Sequence, residues 1–301
     1  MSSQPIRGFI AAPFTPMHPD GRIDLSRIPG YAAHLRASGV HGVFVNGTTG
    51  EGYALSRDER TAAAEAWVRE SGDEMLVIVH VGAESLADAR TLASHAQAIG
   101  ADGIASMSPV FFRPVLAGLV EWCRTIAAAA PDLPFYYYHI PSMSGFDVPV
   151  VDFLDQAGGR VPTLRGVKYT HHDLMDFRLC ASIDGGRFDL LFGRDEILLS
   201  ALALGAQGMV GSTYNYAMPL FNELITEFRA GRFDEAAAVQ ERAMRMVKIL
   251  EANGGGVVAG KAMMRGAGLD LGSCRVARPL GEDVVEGAVE AARSLGVFGP
   301  A

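Results

Sequence analysis

The chain has 301 residues, 49% of them hydrophobic and 20% charged, an ordinary globular balance that can bury a large core in one or two domains. Its formal net charge of -8 comes without a basic stripe, which excludes nucleic acid as a partner. The start, MSSQPIRGFIAAPF, has no long apolar run, so neither a secretion signal nor a membrane segment is expected. Three isolated cysteines (Cys123, Cys180 and Cys274) fit a reducing compartment, the cytoplasm.

In chain order, strands are predicted at Gly8–Ala12, Gly42–Asn46, Leu76–Val81, Gly103–Met107, Phe135–Ile140, Gly166–Tyr169, Leu190–Phe192 and Gly208–Gly211. Each is a short apolar run without strict alternation, as expected of strands buried on both faces. Amphipathic helical stretches lie between them, among them Ser56–Ser71, Ser85–Ile99, Val115–Ala129 and Glu196–Leu204. Several open on Ser or Asp with an acidic first turn, and Ser56-Arg57-Asp58-Glu59 has capping-box spacing. Eight strands alternating with helices predict an α/β fold, a (β/α)8 TIM barrel. A doubly wound open sheet is the alternative, weakened because no glycine-rich dinucleotide fingerprint follows the first strand. Past residue 217 the pattern is helical only, at Phe221–Arg229, Asp234–Asn253, Val257–Gly266 and Asp283–Leu295, with Gly254-Gly255-Gly256 as a helix break. The expected division is a catalytic barrel over 1–230 and a C-terminal helical extension over 231–301.

Barrel enzymes draw their catalytic residues from the C-terminal ends of strands and the loops that follow. Those positions here hold Gly47-Thr48-Thr49-Gly50-Glu51, Tyr138-His139-Ile140-Pro141, Lys168-Tyr169-Thr170, Gly193-Arg194-Asp195-Glu196 and Gly211-Ser212-Thr213. Lys168 stands out because only three of the 26 basic residues are lysine, the others being Lys248 and Lys261. A desolvated lysine can be a neutral nucleophile, whereas arginine stays protonated. Lys168 therefore reads either as an amine that attacks a ketone or as a structural lysine reaching solvent past the rim. Tyr138 ends the preceding strand, where a phenol could relay protons, and alternation sends Tyr136 and Tyr138 to one side and Tyr137 to the other. The Gly–Thr–Thr–Gly loop suits a carboxylate through backbone N–H groups and hydroxyls, as an acidic chain binding an anion requires, although an ordinary strand-to-helix turn has the same composition.

The motifs VNGTTGEGYALSRDER, FYYYHIPSMSG, GVKYTHHDL and LFGRDEILLSALALGAQGMVGSTYNY resemble, in that order, stretches of the dihydrodipicolinate synthase/N-acetylneuraminate lyase family of class I aldolases. The likeness covers nearly the whole chain and is nearest the lyase branch. It implies a Schiff-base reaction that cleaves N-acetylneuraminate to N-acetylmannosamine and pyruvate, reversibly and with no cofactor. Lys168 would form the imine and Tyr138 would relay protons. Thr48, Thr49 and Gly50 match the carboxylate loop, while Thr170, Gly193, Asp195, Glu196 and Ser212 match positions that hold the hydroxylated tail. Carboxylates are good acceptors for sugar hydroxyls, although Asp195 and Glu196 would also complement a helix N-terminus. A homotetramer is implied as well.

Two departures bear on substrate. The synthase branch usually carries an arginine where Met143 stands, and a pair of tyrosines where the stretch reads Ser108-Pro109-Val110-Phe111-Phe112. An amino-acid aldehyde would lack its anchor here; an uncharged sugar would not. Rival readings are another pyruvate-dependent aldolase or sugar-acid dehydratase of the family, and a non-catalytic barrel that binds a sugar acid. No metal is expected at His171-His172-Asp173, which lacks zinc spacing and reads as a helix start. His139 should point away from Tyr138. Lys248 and Lys261 are expected to be surface or interface charges outside the barrel rim.

Overall fold

The computed structural model describes residues 5–276 and 280–299. Eight strands run β1 (Gly8–Ala11), β2 (Gly42–Val45), β3 (Leu76–His80), β4 (Gly103–Ser106), β5 (Phe135–His139), β6 (Leu164–Tyr169), β7 (Asp189–Phe192) and β8 (Gly208–Gly211). All pair in parallel with their neighbours, and β8 closes on β1 to complete a (β/α)8 barrel.

The strands fall where the apolar runs place them, with two instructive shifts. β6 begins at Leu164 and so takes in Arg165, and β7 takes in Asp189. A charge inside a buried strand hides its start from a hydrophobicity pattern. Here the cause is pairing: the Arg165 guanidinium lies 3.2 Å from Asp189, which also accepts the Tyr136 hydroxyl at 3.0 Å. Together they plug the N-terminal end of the barrel.

The helix starts follow their sequence signals. Ser56 accepts from the Glu59 N–H at 3.2 Å while Glu59 accepts from the Ser56 N–H at 2.8 Å, a complete capping box on the helix Arg57–Ser71. Ser85 and Asp173 cap Leu86–Ala98 and Leu174–Cys180 by accepting from the Asp88 and Asp176 N–H groups, without the reciprocal bond. Ile28–Ala37 has Pro29 in its first turn and Val150–Ala157 follows Pro149, both with no side-chain cap, so they announce themselves less clearly. Beyond the barrel, the long helix Phe233–Ala252 breaks at Gly254, whose φ is +94°, and Gly255–Met263 follows it directly.

Two cores result. Ile10, Phe44, Ile78, Tyr136, Tyr138, Leu191 and Val210 fill the barrel. A larger apolar layer joins barrel to helices and continues into the extension through Val239, Met246, Leu250 and Met263. As alternation requires, Tyr136 and Tyr138 point inward while Tyr137 packs outside on Phe153. Among the described residues no helix is long and apolar enough to cross a membrane.

Candidate active site

β5 and β6 are adjacent, and their register sets Tyr138 beside Lys168. Both side chains turn into the C-terminal mouth of the barrel. The Lys168 amine is buried at 3.8 Å from the centre of the Phe44 ring and 4.2 Å from that of Tyr138. With aromatic faces in place of water, burial pushes its pKa down to about 7, against the opposing pull of the Asp195 charge. A substantial neutral fraction therefore exists at neutral pH, and a neutral amine can add to a carbonyl.

The Tyr138 hydroxyl lies 3.4 Å from the Thr48 hydroxyl. Burial pushes its pKa up to about 12, opposed by the Thr48 and Thr170 hydroxyls, so the phenol holds its proton until something nearby takes it. His80, which sequence reasoning did not single out, packs edge-on against this ring at 5.7 Å between centres. Burial holds its pKa well below the ordinary value, so it stands there as a neutral ring. Its only sequence signal is its place at the end of β3.

Thr48 and Thr49 line the cleft, and among the described residues their backbone N–H groups donate to no protein acceptor. Two adjacent free donors with hydroxyls beside them make a cradle for an anion. Gly50 stands behind this cradle and outside the lining, with its carbonyl accepting from Thr15 at 2.7 Å. A side chain there would meet the Pro13 carbonyl at 3.0 Å.

Across the mouth, Thr170, Gly193, Asp195, Glu196 and Ser212 all line the same cleft, whose volume is about 330 Å³. Two glycines make the room. A Cβ on Gly193 would come within 2.2 Å of the Thr170 hydroxyl, and one on Gly211 within 2.1 Å of Asp195 Oδ1. Asp195 is buried, and one of its oxygens accepts from the Thr213 N–H at 3.3 Å and from the Thr213 hydroxyl. Its other oxygen, Oδ1, has no hydrogen-bond partner among the described residues. Burial raises its pKa, opposed chiefly by the Thr213 hydroxyl. Glu196 is more open and lies 3.2 Å from Arg194 Nε. The pair thus splits into a buried acceptor and a half-buried one, both suited to hydroxyl groups.

Met143 and Arg194, both read from the sequence as near the rim, line the cleft. Val247, Leu250 and Glu251 from the extension helix line it too and were not anticipated. A rule confined to strand ends overlooks a helix that leans over the mouth. The larger correction concerns Lys261, expected as a surface or interface charge. Its side chain is buried, with Nζ 3.4 Å from Glu51 of the carboxylate loop. The helix Gly255–Met263 approaches the barrel closely enough that a Cβ on Gly260 would meet the Phe14 ring at 2.9 Å, and this carries Lys261 inside. Lys248 is exposed and pairs with Glu251 at 2.6 Å.

His139 points away from Tyr138, packing on Tyr169 and His171 outside the barrel. His139, Asp147 and His171 could bring ligand atoms within 4.8 Å of one another, outside the cleft lining. Asp173 serves as a helix cap, accepting from the Asp176 N–H at 3.0 Å. Two further clefts, of about 540 and 800 Å³, open at the N-terminal ends of the strands, the end of a barrel associated with stability.

Comparison with known proteins identifies the family. The family model described as "Dihydrodipicolinate synthetase family" matches residues 5–293. N-acetylneuraminate lyase of Mus musculus is 44% identical over 263 residues, spanning 86% of this chain and 82% of that protein. Among solved structures, N-acetylneuraminate lyase from Proteus mirabilis superposes with a TM-score of 0.95 at 40% identity, covering 98% of this chain and all (100%) of that one. The N-acetylneuraminate lyase (sialic acid aldolase) from Aliivibrio salmonicida superposes equally well, with a TM-score of 0.95 at 39% identity and 98% coverage of both chains. With a matching family model over nearly its full length, a closed eight-stranded barrel and a buried lysine at its mouth, the chain belongs to the dihydrodipicolinate synthetase family.

Proposed function

We propose that this protein is a Schiff-base aldolase that cleaves N-acetylneuraminate to N-acetylmannosamine and pyruvate and also runs the reverse condensation. The observation that carries this is Lys168, an amine kept partly neutral by burial and set beside a protonated phenol. The names of the relatives supply the substrate.

In this mechanism Lys168 Nζ adds to C2 of the open-chain keto acid, and loss of water gives a protonated imine. A base removes the proton of the C4 hydroxyl. The C3–C4 bond then breaks, its electron pair flowing into the imine to leave an enamine, while C4 departs as the aldehyde of N-acetylmannosamine. Protonation at C3 and hydrolysis release pyruvate and restore the amine. Tyr138, with the substrate carboxylate beside it, passes the protons of imine formation, takes up the C4 hydroxyl proton and returns a proton at C3. That carboxylate sits on the free N–H groups and hydroxyls of Thr48 and Thr49, with Gly50 supporting the turn, so no arginine clamp is needed. Thr170, Gly193, Asp195, Glu196 and Ser212 receive the hydroxylated tail.

The test is pyruvate release from N-acetylneuraminate against release from 2-keto-3-deoxy sugar acids. Preference for N-acetylneuraminate is expected. Turnover of the simpler acids alone would replace this substrate with another of the same chemistry. The rate of pyruvate capture by Lys168, followed by borohydride trapping, should rise with pH through about 7 and level off above it. A rate flat from pH 5.5 to 8.5 would contradict a depressed amine pKa.

We further propose a cytoplasmic homotetramer. Cys123 and Cys180 are buried free thiols, in keeping with a reducing compartment. Phe111 and Phe112 are each 81% exposed and Val115 is 78% exposed, an apolar surface suited to subunit contact.

A further inference from the structure

The turn that carries Thr48 and Thr49 lies between two left-handed residues that are not glycine, Asn46 at φ +60° and Glu51 at φ +56°. Asparagine tolerates that region; glutamate adopts it only where its surroundings over-determine it. Within the turn, the Glu51 N–H donates to the Thr48 carbonyl at 3.0 Å and the Gly52 N–H to the Gly47 carbonyl at 3.1 Å. Whatever holds Glu51 therefore holds the cradle.

The holding groups come from the far end of the chain. Glu51 Oε1 lies 3.4 Å from Lys261 Nζ, and both side chains are about 1% exposed. Glu51 Oε2 accepts from the N–H of Arg275 at 2.6 Å and of Val276 at 2.9 Å. Lys261 also donates to the Ser273 carbonyl, so its ammonium is tied to the same strap of chain. Arg275 then reaches outward, with both terminal nitrogens 2.7 Å from the Glu59 carboxylate and one of them 2.9 Å from the Ala54 carbonyl. Lys261 does not line the cleft, and two of its three donors are held by Glu51 and Ser273, so it is no second nucleophile.

We infer that Glu51 and Lys261 are positioning residues, a buried ion pair through which the C-terminal extension fixes the carboxylate cradle and so sets affinity for the α-keto acid. The inference rests on the aldolase function proposed above. A buried pair broken on one side leaves a charge without compensation, which moves backbone; a shift of the cradle by a fraction of an ångström misaligns two donors at once.

The experiment measures borohydride trapping of Lys168 across a pyruvate titration for wild type, Glu51→Gln, Lys261→Met, the double variant and Arg275→Ala. Half-saturating pyruvate is expected to rise about tenfold in either single variant of the pair. Trapping at saturation should reach the wild-type level with the same pH midpoint. The double variant should be no worse than the weaker single, because the two act as one unit. In the condensation direction, half-saturation for N-acetylmannosamine should stay unchanged, since that half of the substrate meets the opposite wall. General damage to the fold would move both constants. Folded variants with wild-type pyruvate half-saturation overturn the inference. Should the buried variants fail to fold, Arg275→Ala decides: a rise of about threefold for pyruvate alone supports the clamp, and no change overturns it. If wild type itself shows no pyruvate-dependent trapping, the aldolase function and this inference fall together; if wild type is trapped, the clamp stands or falls alone.

Discussion

Lys168→Met should abolish turnover, with kcat falling by about 10⁴- to 10⁶-fold, the scale on which loss of an activated nucleophile is felt. Methionine is unbranched like lysine, one atom shorter, and suits the faces of Phe44 and Tyr138, so the cleft should keep its shape. Stability should move the other way. The unfolded amine keeps its proton to about pH 10.5, the folded one only to about 7. The native state is thus penalised at and below pH 7, and the penalty fades as the pH climbs toward 10.5. Removing the amine relieves a burial cost of up to a few kcal/mol at pH 7, and the melting temperature should rise. Denaturation at pH 7 beside a pyruvate-release assay checks both halves. Residual turnover within a hundredfold of wild type would remove Lys168 from the chemistry.

Tyr138→Phe should carry the second largest effect, a fall in kcat of about 10²- to 10⁴-fold with KM changed little, the signature of a proton relay used in the transition state. The phenol lies 3.4 Å from the Thr48 hydroxyl, while its ring packs edge-on against Phe44 and His80. Phenylalanine keeps the packing and loses only the proton carrier. Steady-state kinetics in both directions test this, and a fall of less than threefold would reassign the relay to another group.

The barrel was legible because its signals are local. Each strand is a short apolar run, and the helix Arg57–Ser71 declares its start through a capping box four residues long. The placement of Lys168 and Tyr138 at the barrel mouth was legible for a related reason: the rule that polar groups for a site gather at strand ends needs only strand order. Arg165 and Asp189 blurred two strand starts because their charges cancel across space, and an apolar pattern is blind to that. Lys261 was misjudged on the same principle at longer range. Nothing in Gly260-Lys261-Ala262 distinguishes a solvated lysine from one facing Glu51, 210 positions away in the chain. The extension's share of the cleft wall, at Val247, Leu250 and Glu251, stayed hidden because an amphipathic helix shows that it has an inner face without showing what that face covers. Gly50 illustrates the opposite error of scale, since a motif marks a loop as a whole while only part of it meets the cavity.

The pairing of Glu51 with Lys261 and the strap at Arg275 has a temporal side. Chains fold as they are made, at roughly 5–20 residues per second. Some ten to forty seconds therefore separate synthesis of the cradle from arrival of its fastening, given the 210 positions between Glu51 and Lys261. Lys168 and Tyr138 emerge before that fastening, on strands that can already pair. A nascent or truncated barrel would thus carry a reactive amine before it carries a firm seat for the acid, and affinity for the acid would be the last property the chain acquires.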